Sequence, residues 1–148
     1  MVPTRDCGYP ARVSFIFALS LALASCTATD GDTIRCGDER IRLTGIDAPE
    51  LGRCDSRRRR CAPGDGKASR QALQRLVAGR DLTIVRLGRD RYGRTLAVVF
   101  ADDRNLACQQ LRAGQAIYRP DWDRRRLVAR DCPRFAHQTR LARPTRRG

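Results

Sequence analysis

The sequence predicts a mainly β chain with helices (α+β), a Greek-key barrel with two to three helices packed around it. Two observations carry this reading. Short β-like runs bounded by Gly, Asp and Pro turn signals recur along the chain, and two stretches between them carry apolar residues at helical spacing. The length of 148 residues suits one compact domain and not two.

The N-terminus reads as a leader. Arg5 and Arg12 precede an apolar run over residues 13–24, short for a membrane span and suited to a signal-peptide core. Ala22-Leu23-Ala24 is a small-x-small cleavage pattern that predicts a mature start at Ser25. Leu23-Ala24-Ser25-Cys26 also reads as a bacterial lipobox, which would lipidate Cys26 and tether the protein. The expected organisation is therefore a signal peptide over 1–24 (1–25 as a lipoprotein signal), a folded domain over 25–122, and a short helix with a basic tail over 123–148.

Within the domain, Thr33–Cys36 and residues 39–46 flank a Gly37-Asp38 turn and predict a hairpin. An arginine-rich loop over 48–64 closes at Pro63-Gly64. Ala68, Ala72, Leu73, Leu76 and Val77 then share one helical face, with Asp65 as N-cap and Gly79 as stop. Residues 81–87 return to strand, 88–93 form a polar turn, and 95–100 form another strand. A helix is predicted over 105–113, ended by Gly114. Ile117-Tyr118 reads as a last strand before Pro120, and 123–130 as a short helix.

Six cysteines follow the leader: Cys26, Cys36, Cys54, Cys61, Cys108 and Cys132. In a small exported domain they read as a disulfide framework, with Cys54–Cys61 the first expected bridge. Zinc fits poorly, because no C-x-x-C pair is present and the only histidine is His137. Export predicts a secreted or periplasmic protein, or a membrane-anchored one if Cys26 carries lipid.

Thirty basic residues face sixteen acidic ones, a net charge of +14. Nucleic acid is the commonest polyanionic partner for such a field, although charge also serves solubility and by itself names no reaction. The chemistry comes from two neighbouring acidic motifs, Asp30-Gly31-Asp32-Thr33 and Ile46-Asp47-Ala48-Pro49-Glu50. Arg42 lies between them, and Asp90-Arg91-Tyr92-Gly93-Arg94 lies downstream. Cleaving a phosphodiester requires a hard cation, positive donors for the non-bridging oxygens, and a group that orients or deprotonates water. Asp32 and Asp47 are oxygen ligands of the kind calcium prefers. Arginine presents a planar fork that matches two phosphate oxygens and stays charged at any working pH. Glu50 stands beyond a proline-fixed bend, within reach of a water.

The runs DGDTI, IRLTGIDAPE and DRYGRTLAVVF resemble those of the staphylococcal nuclease (thermonuclease) family. The resemblance implies a five-stranded OB-fold barrel and calcium-dependent endonucleolytic cleavage of DNA and RNA, leaving 3′-phosphate and 5′-hydroxyl ends. It implies calcium ligation by Asp32, Asp47 and the Ala48 main-chain carbonyl, with Glu50 acting on water and Arg42 and Arg94 on the scissile phosphate. Tyr92 matches a phosphate-contacting tyrosine, and Tyr118 an aromatic facing the base. No stable protein partner is implied, and a monomer is expected. The four arginines at 57–60 either extend the phosphate track or form a solvated, disulfide-pinned loop. Two other readings compete with the enzyme: a non-catalytic nucleic-acid-binding module of the same fold, and an envelope-anchored basic lipoprotein.

Overall fold

The computed structural model describes residues 25–55, 57 and 61–136. The expected leader, the tail from His137 onward, and three of the four consecutive arginines lie outside the described residues.

The hairpin forms as predicted. Strand β2 (Thr33–Cys36) pairs antiparallel with β3 (Glu39–Leu43), and β1 (Cys26–Asp30) adds on the other side of β2. Ile34 faces Ile41 across the ladder, and both are fully buried, so this β-branched pair fixes which sheet face is the core. The strand expected over 39–46 is broken. Thr44 turns aside, its hydroxyl donating to the Trp122 carbonyl at 2.7 Å, and Gly45 takes φ +75°. A Cβ on Gly45 would press on Asp123 and Val128, so the break is made by a distant segment. Beyond it, Ile46-Asp47 form β4, which pairs with β8 (Ile117–Tyr118) in a separate two-stranded ladder.

Helix α1 (Gly66–Val77) starts where Asp65 accepts from the Lys67 and Ala68 N–H groups, and its buried Leu73 and Val77 seal one side of the sheet. Each such burial contributes about 1.5–3 kcal/mol. Strands β5 (Leu82–Arg89) and β6 (Thr95–Ala101) pair antiparallel, and β6 lies parallel to β3. Held between β3 and β5, β6 is buried along most of its length, which explains its run of apolar residues. The result is a six-stranded sheet, the path β1-β2-β3-β6-β5 with the two-residue β7 (Arg104–Asn105) on β6, one strand more than the five that the resemblance implies. Glu39 ties this path together: it accepts from Arg86 on β5 and from the Thr95 hydroxyl on β6. Those bonds, Arg86 foremost, hold its carboxyl down at about 2.

Helix α2 (Leu106–Arg112) is capped by Asn105. The helix expected over 123–130 is shifted. Pro120–Trp122 form a 3-10 turn, and α3 (Leu127–Asp131) follows, because Asp123 accepts from the N–H groups of Leu127, Val128 and Ala129. Val128, Ala129 and Cys132 join the same core as β2, β3 and α1. Three disulfides staple the fold: Cys26–Cys36 across the β1–β2 ladder, Cys54–Cys61 in the arginine loop, and Cys108–Cys132 between α2 and the end of α3. Such a density in a small domain is characteristic of an oxidising compartment. No helix among the described residues is long and apolar enough to cross a membrane.

Candidate active site

The Gly31-Asp32 turn between β1 and β2 is pressed against α1. A Cβ on Gly31 would sit 1.9 Å from Ser69 Oγ and 2.7 Å from the Ala48 Cβ, so only glycine fits without displacing its neighbours. Gln110 donates to the Gly31 carbonyl at 2.7 Å and anchors the turn from α2. Asp32 is thereby buried, at 2% exposure, with its Oδ2 accepting the Ala48 N–H at 2.9 Å and its Oδ1 the Thr33 hydroxyl at 3.1 Å. The two acidic motifs thus meet directly. Preceding Asp30 is half-buried; burial pushes its carboxyl up, partly offset by the hydrogen bond from Gly31 N–H.

Asp47, at 1% exposure, is held by the β4–β8 ladder opposite Ile117. Its Oδ2 accepts from Arg119 Nε at 3.2 Å and Nη2 at 2.8 Å. Glu50 is exposed, and its backbone lies against the first residue of α1: a Cβ on Gly66 would come within 2.2 Å of the Glu50 carbonyl oxygen. The second close-packed glycine therefore brings the loop carrying Glu50 down onto the helix.

Arg42 stands at the centre. On β3 it sits opposite Thr33, beside the turn, and its Nη1 donates to Asp32 Oδ1 at 2.5 Å. Its Nη2 donates to the Ile46 carbonyl and lies 3.7 Å from Asp47 Oδ1. Arg94 opens β6's end of the β5–β6 turn and is held by Asp90, which accepts Arg94 Nε at 2.7 Å and the Arg94 and Tyr92 N–H groups at 2.9 Å each. Burial alone would raise the Asp90 carboxyl, but these bonds outweigh it and keep the group below its ordinary value.

Arg42, Glu50, Tyr92 and Arg94 line one cleft of about 1010 Å³, together with Asp90 and Trp122. Arg40, Arg89, Arg124 and Arg125 add positive charge to its walls. Asp32 and Asp47 lie just beneath, reached through Arg42. Tyr118 is apart from this group. It is buried at 4% exposure, its hydroxyl donates to Asp123 Oδ2, and it does not line the cleft. The aromatic on that wall is Trp122, 42% exposed, with Arg42 and Arg119 guanidinium carbons 5.1 and 5.5 Å from its ring centre.

Asp90, Arg119 and Trp122 were not singled out by the sequence reading. Asp90 carried a signal, as an Asx-turn residue heading the DRYGR run. Trp122 is the chain's single tryptophan, two residues after a proline. Arg119 had no distinguishing mark among so many arginines.

The family described as "Staphylococcal nuclease homologue" matches residues 40–148, well over half of the chain. The chain belongs to the staphylococcal nuclease family. It is 34% identical over 93 residues to a protein of Haemophilus influenzae named "Uncharacterized endonuclease", covering 60% of this chain and 47% of that one. A protein of the same name from Escherichia coli is 40% identical over 92 residues, covering 59% and 54%. A "Probable staphylococcal-like nuclease" of Oryza sativa subsp. japonica is 32% identical over 122 residues, covering 78% of this chain and 28% of the relative. The chain thus spans about half the length of the two bacterial relatives.

For a staphylococcal nuclease family member, the implied cation is calcium, and the donors present fit it. Asp32 and Asp47 offer hard carboxylate oxygens, and one oxygen of each lies near the same Arg42 guanidinium. No cluster of three or more His, Cys, Asp or Glu side chains is found among the described residues. With the Ala48 main-chain carbonyl that the resemblance implies, the two carboxylates would form an open donor set, completed by water or substrate oxygens.

Proposed function

We propose that the chain is a calcium-dependent endonuclease that hydrolyses phosphodiester bonds of DNA and RNA, leaving 3′-phosphate and 5′-hydroxyl ends. The observation that carries the reading is the position of Arg42, bonded to Asp32, facing Asp47, and opening on the cleft that Glu50 and Arg94 also line.

Asp32, Asp47 and the Ala48 carbonyl would hold calcium, which when bound supplies a hard Lewis acid for a phosphate oxygen. Glu50 orients a water and takes its proton as the water oxygen bonds to phosphorus. The bond from phosphorus to the 5′-oxygen breaks, and that oxygen is protonated from solvent. Arg42 and Arg94 hold the non-bridging oxygens, where negative charge accumulates as water adds. Tyr92, 63% exposed at the rim, contacts a terminal phosphate. Trp122 offers a face on which an unpaired base stacks. Residues 1–24 are read as an export signal, in keeping with the disulfides.

Plasmid and RNA incubated with the purified domain should be cut in calcium and spared when chelator is added. Glu50→Gln should lower turnover by about 10²-fold or more with nucleotide binding retained. Binding that persists in chelator, with no scission under any condition, would instead identify a non-catalytic module.

A further inference from the structure

Asp32 and Asp47 are two buried carboxylates, each with its Oδ1 near the Arg42 guanidinium. Unpaired, they would repel each other and lose their hydration, a cost that a buried pair of like charges cannot sustain. The protein meets it with two arginines of different standing. Arg119 is fixed: it holds Asp47 Oδ2 through two nitrogens, and its own N–H donates to the Gly45 carbonyl at 2.8 Å, beside the β4–β8 ladder. It does not line the cleft. Arg42 is bonded to Asp32 Oδ1, stands 3.7 Å from Asp47 Oδ1, and lines the cleft, 5.1 Å from the exposed Trp122 ring.

We propose that Arg42 is the resident counter-ion of the acid pair and is exchanged for calcium, moving from the carboxylates into the cleft, where it becomes available to phosphate. The inference rests on the reading of Asp32 and Asp47 as calcium ligands. A divalent cation held by both carboxylates would repel a guanidinium that stands on Asp32 Oδ1 and 3.7 Å from Asp47 Oδ1. With calcium bound, Arg42 would leave the carboxylates for the cleft, and the Trp122 ring, already 5.1 Å from its guanidinium, would remain a favourable neighbour. A phosphate in the cleft draws Arg42 the same way. The two ligands thus help each other bind, by equal factors in both directions. Arg94 takes no part, because its partner is Asp90.

Calcium titration calorimetry without nucleic acid, on wild type, Arg42→Gln and Arg94→Gln, tests this. Arg42→Gln should bind calcium about tenfold more tightly than wild type, the size expected when a charge-assisted competitor is removed. Arg94→Gln should stay within about twofold of wild type. Adenosine 5′-monophosphate should tighten calcium binding to wild type about tenfold more than it tightens binding to Arg42→Gln, which keeps only the direct contact of phosphate with calcium. Should Arg42→Gln fail to fold, NMR of wild type decides: calcium alone should shift the Arg42 Nε–H resonance and leave that of Arg119 in place. Equal calcium affinity in wild type and Arg42→Gln, or a stationary Arg42 resonance, would overturn the exchange while leaving the calcium site standing. Calcium bound by none of the three proteins would overturn both.

Discussion

Asp90 converts the β5–β6 turn into a support for Arg94. One of its oxygens accepts two backbone N–H groups and the other the Arg94 guanidinium, so turn geometry and side-chain direction are set by one carboxylate. Because its folded pKa lies below the ordinary carboxylate value, the arrangement adds stability above that ordinary value and loses it as pH falls through the lower folded one. At neutral pH the support is therefore fully in force. Asp90→Asn keeps the shape but removes the charge and one acceptor. It should lower kcat/KM about tenfold through misplacement of Arg94, with circular dichroism unchanged. Initial rates on a plasmid substrate at neutral pH check this, and undiminished rates would show that Arg94 needs no such anchor.

The Gly31-Asp32 turn, the start of α1 and the β4 segment form one packed unit that delivers both acids. Gly31→Ala would drive a methyl group into Ser69 Oγ and the Ala48 Cβ, and Ser69 cannot yield easily because its hydroxyl donates to the Gln115 carbonyl at 2.6 Å. The substitution should destabilise by about 2 kcal/mol and weaken calcium binding together, read by thermal unfolding and calorimetry. A stable variant with intact calcium affinity would mean that the turn relaxes freely. Elements of this kind were legible in sequence wherever their signals are local. The β2–β3 hairpin follows from alternation about Gly37-Asp38, and α1 from apolar spacing between Asp65 and Gly79. The Cys54–Cys61 bridge follows from closeness along the chain, and the conjunction of Arg42 with both acidic motifs from motif order. Other features depend on contacts between distant segments and leave no local trace. The break at Thr44-Gly45 is imposed by Trp122, Asp123 and Val128. The start of α3 is set by Asp123, and the burial of Tyr118 by its bond to the same residue. Trp122 on the cleft wall is held from a distant strand end, by the Thr44 hydroxyl on its carbonyl.

At the scale of the whole molecule, a net charge of +14 works against compaction, since like charges repel more strongly in the folded domain than in the extended chain. A small core has little surplus to offset this, and the disulfides supply stabilisation that burial cannot. Cys108–Cys132 matters most for the site. It pins α2 to the end of α3, and the segment entering α3 carries Trp122, Arg124 and Arg125 on the cleft wall. Bridging positions 24 residues apart, it restricts the unfolded chain by about 3 kcal/mol in the chain-entropy account. Replacing both cysteines by serine should therefore lower stability by about that amount, seen as an earlier denaturant midpoint. Because the opposing force is electrostatic and screened by salt, the midpoints of wild type and variant should both rise as ionic strength increases from low to physiological values. Denaturant titrations with urea, an uncharged denaturant, at two salt concentrations separate the contributions. An unchanged midpoint on removing the bridge would show that α3 is held by its apolar contacts and the Asp123 cap alone. A salt-insensitive midpoint would show that the arginines do not strain the fold.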